Sequence, residues 1–197
     1  MEILLNAFFS SHDQEIMVGS FLGGNYVNNH NNKFAPNIEQ GQFISQSIDD
    51  FIEHNPICQK SIELLSPRAR KFNKTILRLY YDHFLAKNWD SYSTIRYDVF
   101  CAEIVSVLKS QNHFFPYKPK RIANRIIRKG LISKLGSING LNEYIEEMTR
   151  YNSYNLSICE AIGDLVKNYN SFSNDFATIF PALEKELSNK RTLSIAS

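Results

Sequence analysis

Residues 79–89 constrain the fold of this chain more than any other segment of its sequence. Their large apolar and aromatic side chains recur every three or four positions, which is the spacing of one face of a helix. A carboxylate and an imidazole, Asp82 and His83, stand side by side within the segment. Because burying a charge without a partner is costly, both groups need hydrogen bonds or a metal ion. The segment therefore predicts a buried helix with a polar pair.

The rest of the chain also has helical spacing, and alternating strand-type runs are scarce. Proline and glycine divide it where helices start or stop. Helices are predicted from Ser11 or Asp13 to 22, over 38–53, from Pro56, over 68–88, and over 94–111, 119–129, 138–149, 155–170 and 173–187. We expect an all-α fold, a single-domain multi-helix bundle over residues 1–187, with a frayed tail over 188–197.

Composition agrees with one compact domain. The 197 residues are 43% hydrophobic, but no apolar run approaches the ~20 residues that cross a bilayer. The first residues lack a basic leader and a cleavage site, so no signal peptide is expected. The three cysteines, Cys58, Cys101 and Cys159, are far apart and predict neither a disulfide framework nor a metal-binding pair. These features predict a cytoplasmic protein without a membrane partner.

The sequence Tyr-Asp-His-Phe-Leu-Ala-Lys-Asn-Trp at 81–89 resembles the central motif of the acyl carrier protein phosphodiesterases. This family is an all-helical branch related to the HD-type phosphohydrolases. Residues 1–10, 18–27 and 41–53 resemble earlier family segments in order and spacing. Beyond residue 92 the likeness lies in the helical layout. The resemblance implies an HD-like helical bundle that releases 4′-phosphopantetheine from holo acyl carrier protein, with Mn²⁺ or Mg²⁺ as the cofactor.

The resemblance also implies a metal site. Asp49, Glu53, Asp82 and His83 stand at family site positions, with Glu53 in place of an aspartate. They are the expected ligands, because a hard divalent cation takes several oxygen or imidazole ligands at once. Asp82 and His83 are also the expected catalytic residues. A metal held there would activate a bound water and polarise the phosphodiester.

Several positions depart from the family pattern. Asn6 stands where the family has histidine, and Gly24 or Asn25 stands where it has an acidic residue. Ser45 and Gln46 replace a His-Arg pair. An amide, a glycine and a hydroxyl are poor substitutes for imidazole and carboxylate ligands. The departures therefore predict a degraded site, with metal bound weakly or not at all and with hydrolysis weak or lost.

Each candidate residue also has a structural interpretation. His83 could be a core histidine bonded to a backbone carbonyl. Asp82 could pair with Arg78, four residues earlier on the same helical face. Asp49 and Glu53 share a face at the same spacing, and could be surface acids beside lysine or arginine. The sequence leaves these alternatives open.

Basic residues are concentrated in two stretches without acidic residues, 64–81 and 104–142, although the net charge is only +2. Such a surface suits an acidic partner. By the resemblance that partner is an acyl carrier protein, and nucleic acid is a less favoured alternative. A pair of solvated helix faces would produce the same pattern. The residues predicted to bind the partner are Arg68, Arg70, Lys71, Lys118, Lys120, Arg121, Arg125 and Arg128.

Two classes of function remain open at this point. The first is a metal-dependent phosphodiesterase that acts on acyl carrier protein. The second is a non-catalytic relative that keeps the fold and binds an acidic partner. The substituted positions favour the second class, and the family resemblance favours the first.

Overall fold

A computed structural model describes residues 3–10, 13–23, 36–150 and 155–195. It leaves out the side chains of Phe114, Lys118, Cys159 and residues 155–157 and 191–195. Within the described ranges the chain forms ten α-helices and no β-strand, which confirms the predicted all-α fold. In chain order, helices α1 to α10 span Leu4–Phe9, Gln14–Leu22, Pro36–His54, Pro56–Glu63, Asn73–Lys87, Tyr97–Ser110, Tyr117–Lys129, Ile138–Thr149, Asn155–Lys167 and Tyr169–Ile195.

Short polar side chains and glycine set several helix ends near the positions that the sequence predicted. The Asp13 carboxylate accepts two backbone N–H groups in the first turn of α2, both at 2.9 Å. Asn55 caps α4 in the same way, with Pro56 in the first helical position. Gly130 ends α7 in a left-handed conformation, with φ of 61°, which glycine adopts without steric cost.

Helix α5 lies at the centre of the bundle. Residues 76–86 are all buried, as expected for a helix that packs against neighbours on every side. Phe84 and Trp89 are nearly inaccessible. Tyr80 meets Phe172 of α10 edge to face, with ring centroids 4.9 Å apart. The predicted central position of this helix is confirmed.

Several elements differ from the sequence predictions: α1 was not predicted, α6 begins at Tyr97 instead of 94, and α10 begins at Tyr169 instead of 173. The segment predicted as one helix over 68–88 begins with a 3₁₀ turn, Ala69–Phe72, and α5 starts at Asn73. Arg70 stabilises this turn by donating to two backbone carbonyls of the preceding segment, at 2.9 and 2.6 Å. Helix α10 is longer than predicted and continues over residues 188–195, where a frayed tail was expected.

Helices α2 and α3 cross with their backbones in direct contact. A Cβ atom on Gly41 would lie 1.9 Å from the carbonyl oxygen of Ile16, and one on Gly19 would lie 2.0 Å from that of Ile38. Only glycine permits this approach. The crossing places the end of α2 beside the middle of α3, where a cleft opens.

None of the helices in the described part of the chain combines the length and the apolar character needed to cross a membrane.

Candidate functional site

The Asp82 carboxylate binds the beginning of helix α1. Its Oδ2 accepts the backbone N–H groups of Ile3 at 3.0 Å and Leu4 at 3.3 Å, and its Oδ1 accepts that of Leu5 at 2.8 Å. The first N–H groups of a helix have no partners within the helix, and its positive end favours an anion. Asp82 is completely buried. Its carboxylate therefore joins α5 to α1, and both oxygens are committed to backbone amides.

His83 is held in the core by hydrogen bonds to both ring nitrogens. Nδ1 lies 2.8 Å from the carbonyl oxygen of Leu135, and Nε2 lies 2.8 Å from the hydroxyl of Tyr169. A carbonyl can only accept, so Nδ1 carries the proton and Nε2 accepts from the Tyr169 hydroxyl. Burial lowers the pKa of His83, which favours this neutral form. His83 is thus the core histidine that the sequence left as an alternative.

The guanidinium of Arg78 donates hydrogen bonds to four oxygen atoms on two other helices. Nη1 donates to Oδ1 of Asp49 at 2.6 Å and to the carbonyl oxygen of Ser45 at 3.3 Å. Nη2 donates to Oδ1 of Asn6 at 2.5 Å and to Oγ of Ser45 at 3.3 Å. Arg78 is buried, and Asp49 is partly exposed. We call Arg78, Asn6, Ser45 and Asp49 the Arg78 cluster.

The Arg78 cluster lies in the wall of an open cleft of about 460 Å³. Lys74 and Thr75, one turn before Arg78 on α5, also line this cleft. Pro119 and Ile122 of α7 line it from the other side. Its volume is within the range of small-molecule sites. The cleft therefore brings together five helices, α1, α2, α3, α5 and α7.

Lys74 supplies an accessible positive charge in the cleft. Its Nζ lies 2.5 Å from Oε2 of Glu53, and its side chain is 38% exposed. The hydrogen bond that Lys74 donates to Glu53 raises the pKa of Lys74, and the same bond lowers the pKa of Glu53. Both groups are therefore charged at neutral pH.

The four predicted metal ligands are not brought together. Asp49 and Glu53 pair with basic side chains, Asp82 binds backbone amides, and His83 bonds to a carbonyl and a hydroxyl. Across the described ranges, no group of three or more histidine, cysteine, aspartate or glutamate side chains could hold a metal ion. The residues present do not fit a Mn²⁺ or Mg²⁺ ion bound by this set. Side chains at different positions around a buried helix meet different neighbouring elements. Asp82 and His83 meet α1, Leu135 and Tyr169, and neither of them lines the cleft.

Three of the positions at which the sequence departs from the expected family pattern lie close together. Asn6, Ser45 and Gln46 all line the cleft. Asn6 and Ser45 accept hydrogen bonds from Arg78. The other substituted positions, Gly24 and Asn25, lie outside the described residues.

The predicted partner-binding residues divide into two groups. Some are used within the fold. Arg68 pairs with Glu160, Arg70 holds the 3₁₀ turn, and Arg125 binds the buried carboxylate of Glu147. Arg121 donates to the hydroxyl of Tyr117 at 2.9 Å on the exposed side of α7.

The second group remains accessible. Lys71 and Arg128 are exposed, and Lys120 is half-buried. The side chain of Lys118 is not among those described. Arg121 bonds to Tyr117 of its own helix and stays exposed, so the accessible part of the predicted surface on α7 consists of Lys120, Arg121 and Arg128.

Two residues of the cleft, Lys74 and Arg78, lie in the first basic stretch, which was predicted to bind the partner, but they were not predicted individually as site residues. Their four-residue spacing on α5 matches that of Ser45, Asp49 and Glu53 on α3. Arg78 bonds to Ser45 and Asp49, and Lys74 bonds to Glu53. The sequence therefore shows basic residues on one helix and acidic residues on another at the same four-residue spacing. This pattern identifies the ion pairs only when the packing of α3 against α5 is known.

The comparison with known proteins agrees with this architecture. The family model described as acyl carrier protein phosphodiesterase matches residues 1–183. The chain belongs to the acyl carrier protein phosphodiesterase family. It is 17% identical over 191 residues to a protein of Photorhabdus laumondii subsp. laumondii named acyl carrier protein phosphodiesterase, covering 96% of each chain. No solved structure matched the chain. The family name indicates acyl carrier protein as the partner class.

Replacing Asp82 with alanine tests its structural role. Because three backbone amides lose their acceptor at a buried helix start, we expect Asp82→Ala to lower the free energy of unfolding by about 3 kcal/mol. Chemical denaturation measures this loss. Asp90→Ala removes an exposed carboxylate and should change stability by less than ~0.5 kcal/mol. Equal stability of the two variants would contradict the assigned role.

Glu147 predicts an acid dependence of stability. Its buried carboxylate binds Arg125, Lys129 and Arg150, and the Arg125 hydrogen bond is the main reason that its pKa is lowered to about 2 from 4.5. Because the folded-state pKa is depressed, the ionised group contributes stability above about pH 4.5, and this contribution is lost as the pH falls toward 2. We expect Glu147→Gln to cost roughly 2 kcal/mol at pH 7.

Urea unfolding from pH 7 to pH 2 checks this expectation. The difference between wild type and Glu147→Gln should shrink below about pH 4.5. Glu143→Gln is the matched control, because Glu143 makes a half-exposed ion pair with Lys134 and should contribute less than ~1 kcal/mol. A difference that stays constant with pH would contradict the role given to Glu147.

Proposed function

We propose that this chain binds an acyl carrier protein and receives its phosphopantetheine arm in the cleft, without metal-dependent hydrolysis of that arm. One observation carries the proposal: the cleft joins the two acid-free basic stretches. Lys74 and Thr75 belong to the first, and Pro119 and Ile122 belong to the second. The cleft is therefore lined by residues from both stretches that carry the predicted docking residues.

The chemistry of the cleft suits a phosphodiester. Lys74 offers an ammonium group, and Thr75 offers a hydroxyl for hydrogen bonding. Arg78 has both Nη atoms engaged by Asn6, Ser45 and Asp49, so its part is to hold the wall in place. In this proposal Lys74 turns from Glu53 to the phosphate. An exposed ion pair has little net stability, so the exchange costs little.

The same contacts support the proposed loss of hydrolysis. Activating a water requires a base or a metal ion positioned at the phosphodiester. Asp49 is the one carboxylate that lines the described cleft, and Arg78 holds it at 2.6 Å. Asp82 and His83 do not line the cleft. The proposal therefore places the chain in the non-catalytic class.

Charge reversal on α7 tests docking. We expect Lys120→Glu, Arg121→Glu and Arg128→Glu together to weaken binding of holo acyl carrier protein at least about tenfold, because an acidic partner would meet negative charge. Wild-type binding should weaken as salt rises toward ~1 M, where the Debye length is only ~3 Å. Calorimetry measures both effects.

The matched control carries the same change in charge elsewhere. Lys60, Lys167 and Lys185 are exposed on α4, α9 and α10, and their combined reversal to glutamate should leave binding within about threefold of wild type. If both triple variants lose affinity for holo acyl carrier protein equally, the exposed side of α7 is not the docking surface. Stronger binding of RNA or DNA than of carrier protein would favour the nucleic-acid alternative. Release of phosphopantetheine that depends on Mn²⁺ would contradict the proposed loss of hydrolysis.

Lys74 tests the cleft separately from the docking surface. The phosphopantetheine arm distinguishes holo from apo carrier protein, so we expect wild type to bind the holo form more tightly. Lys74→Ala should reduce that preference about tenfold or abolish it, because the phosphate loses its cation. Lys60→Ala, at an exposed site on α4, should leave the preference unchanged. An undiminished preference in Lys74→Ala would exclude the cleft as the arm site.

A further inference from the structure

We propose that Asn6, Ser45 and Asp49 form a cation-binding site whose cation is the side chain of Arg78. The chain has a covalently attached guanidinium where its oxygen donors could otherwise hold a free cation. This inference rests on the contacts of the Arg78 cluster and does not depend on carrier binding.

The donor set supports a cation site. The four acceptors named above are all oxygens: an amide oxygen, a backbone carbonyl, a hydroxyl and a carboxylate. Hard cations take this mixture of donors. The groups come from α1 and α3, so the cation on α5 joins three helices at one point.

The orientation of Asn6 adds a second observation. Its Nδ2 donates to the backbone carbonyl of Ser20 at 2.8 Å, which turns Oδ1 toward Arg78. The backbone of α2 thus fixes the acceptor side of this amide. Asn6 presents an oxygen to the cation because its nitrogen is held elsewhere.

A tethered cation has a different thermodynamic behaviour from a free one. It needs no binding step, so occupancy of the site does not depend on the concentration of a metal ion. One positive charge also balances the one carboxylate in the cluster, that of Asp49. The wild-type protein should therefore gain no stability from added cations at this site.

The decisive experiment removes the tether and supplies a free cation. We expect Arg78→Gly to lower Tm by about 5 °C or more. Added methylguanidinium at millimolar concentration should recover at least half of this loss in a saturable manner, and Mn²⁺ should raise Tm of the same variant. Wild type should show neither increase.

Two controls make the test specific. Arg78→Gly combined with Asp49→Asn should lose the response to both cations, because the carboxylate is the charged ligand. Arg96→Gly removes an exposed arginine that pairs with Asp98, and should show no rescue. A response that is absent in Arg78→Gly, or that survives Asp49→Asn, would overturn the proposal.

A second pair of variants covers the case in which Arg78→Gly does not fold. Arg78→Lys keeps a positive charge, and Arg78→Gln keeps a polar side chain without charge. If the site requires a cation, Arg78→Lys has a higher Tm than Arg78→Gln. Asp49→Asn should also lower Tm less in the Arg78→Gln background than in wild type, because the positive charge that pairs with Asp49 is already gone. Equal Tm for the two variants would show that charge is not what the site needs.

Discussion

Burial of the middle of α5 obliges its buried polar side chains to bond with another helix or loop, and much of the architecture follows from those bonds. Arg78 reaches α1 and α3, Asp82 reaches the beginning of α1, and His83 reaches Leu135 and Tyr169. Leaving a buried polar group unsatisfied costs more than an average hydrogen bond contributes. These contacts therefore help to specify how the surrounding helices are placed.

The motif and the cleft have separate roles on the same helix. Asp82 and His83 face the interior and join elements of the fold, whereas Lys74 and Arg78 line the cleft. The Asp82-His83 pair of the motif therefore has a structural role in the core of this chain. The cleft presents the ammonium group of Lys74 and the hydroxyl of Thr75, and Arg78 holds Asn6, Ser45 and Asp49 together in its wall.

The basic surface shows a similar division. Arg125, with Lys129 and Arg150, compensates the buried carboxylate of Glu147, which ties α7 to α8. Lys120, Arg121 and Arg128 form the accessible part of the predicted surface on α7. Counting positive charges along the sequence overestimates the docking surface, because some of those charges stabilise the fold.

Helical spacing, helix caps and proline positions were enough to predict the all-α class, most of the helices and the central place of α5. These features depend on local geometry, which the sequence carries directly. The beginning of α5 at Asn73 was missed because a turn braced by side-chain bonds to backbone carbonyls has no hydrophobic pattern.

The sequence by itself determined the fold class and the family, and it singled out Asn6, Ser45, Gln46 and Asp49, which line the cleft. Only the tertiary structure decided that Asp82 and His83 serve the core and that Arg78 joins Asn6, Ser45 and Asp49. The physical reason is that a side chain's role depends on its partners, and here those partners lie 29 to 86 positions away in the sequence. Local periodicity indicates which face is buried, and only helix packing determines what that face meets.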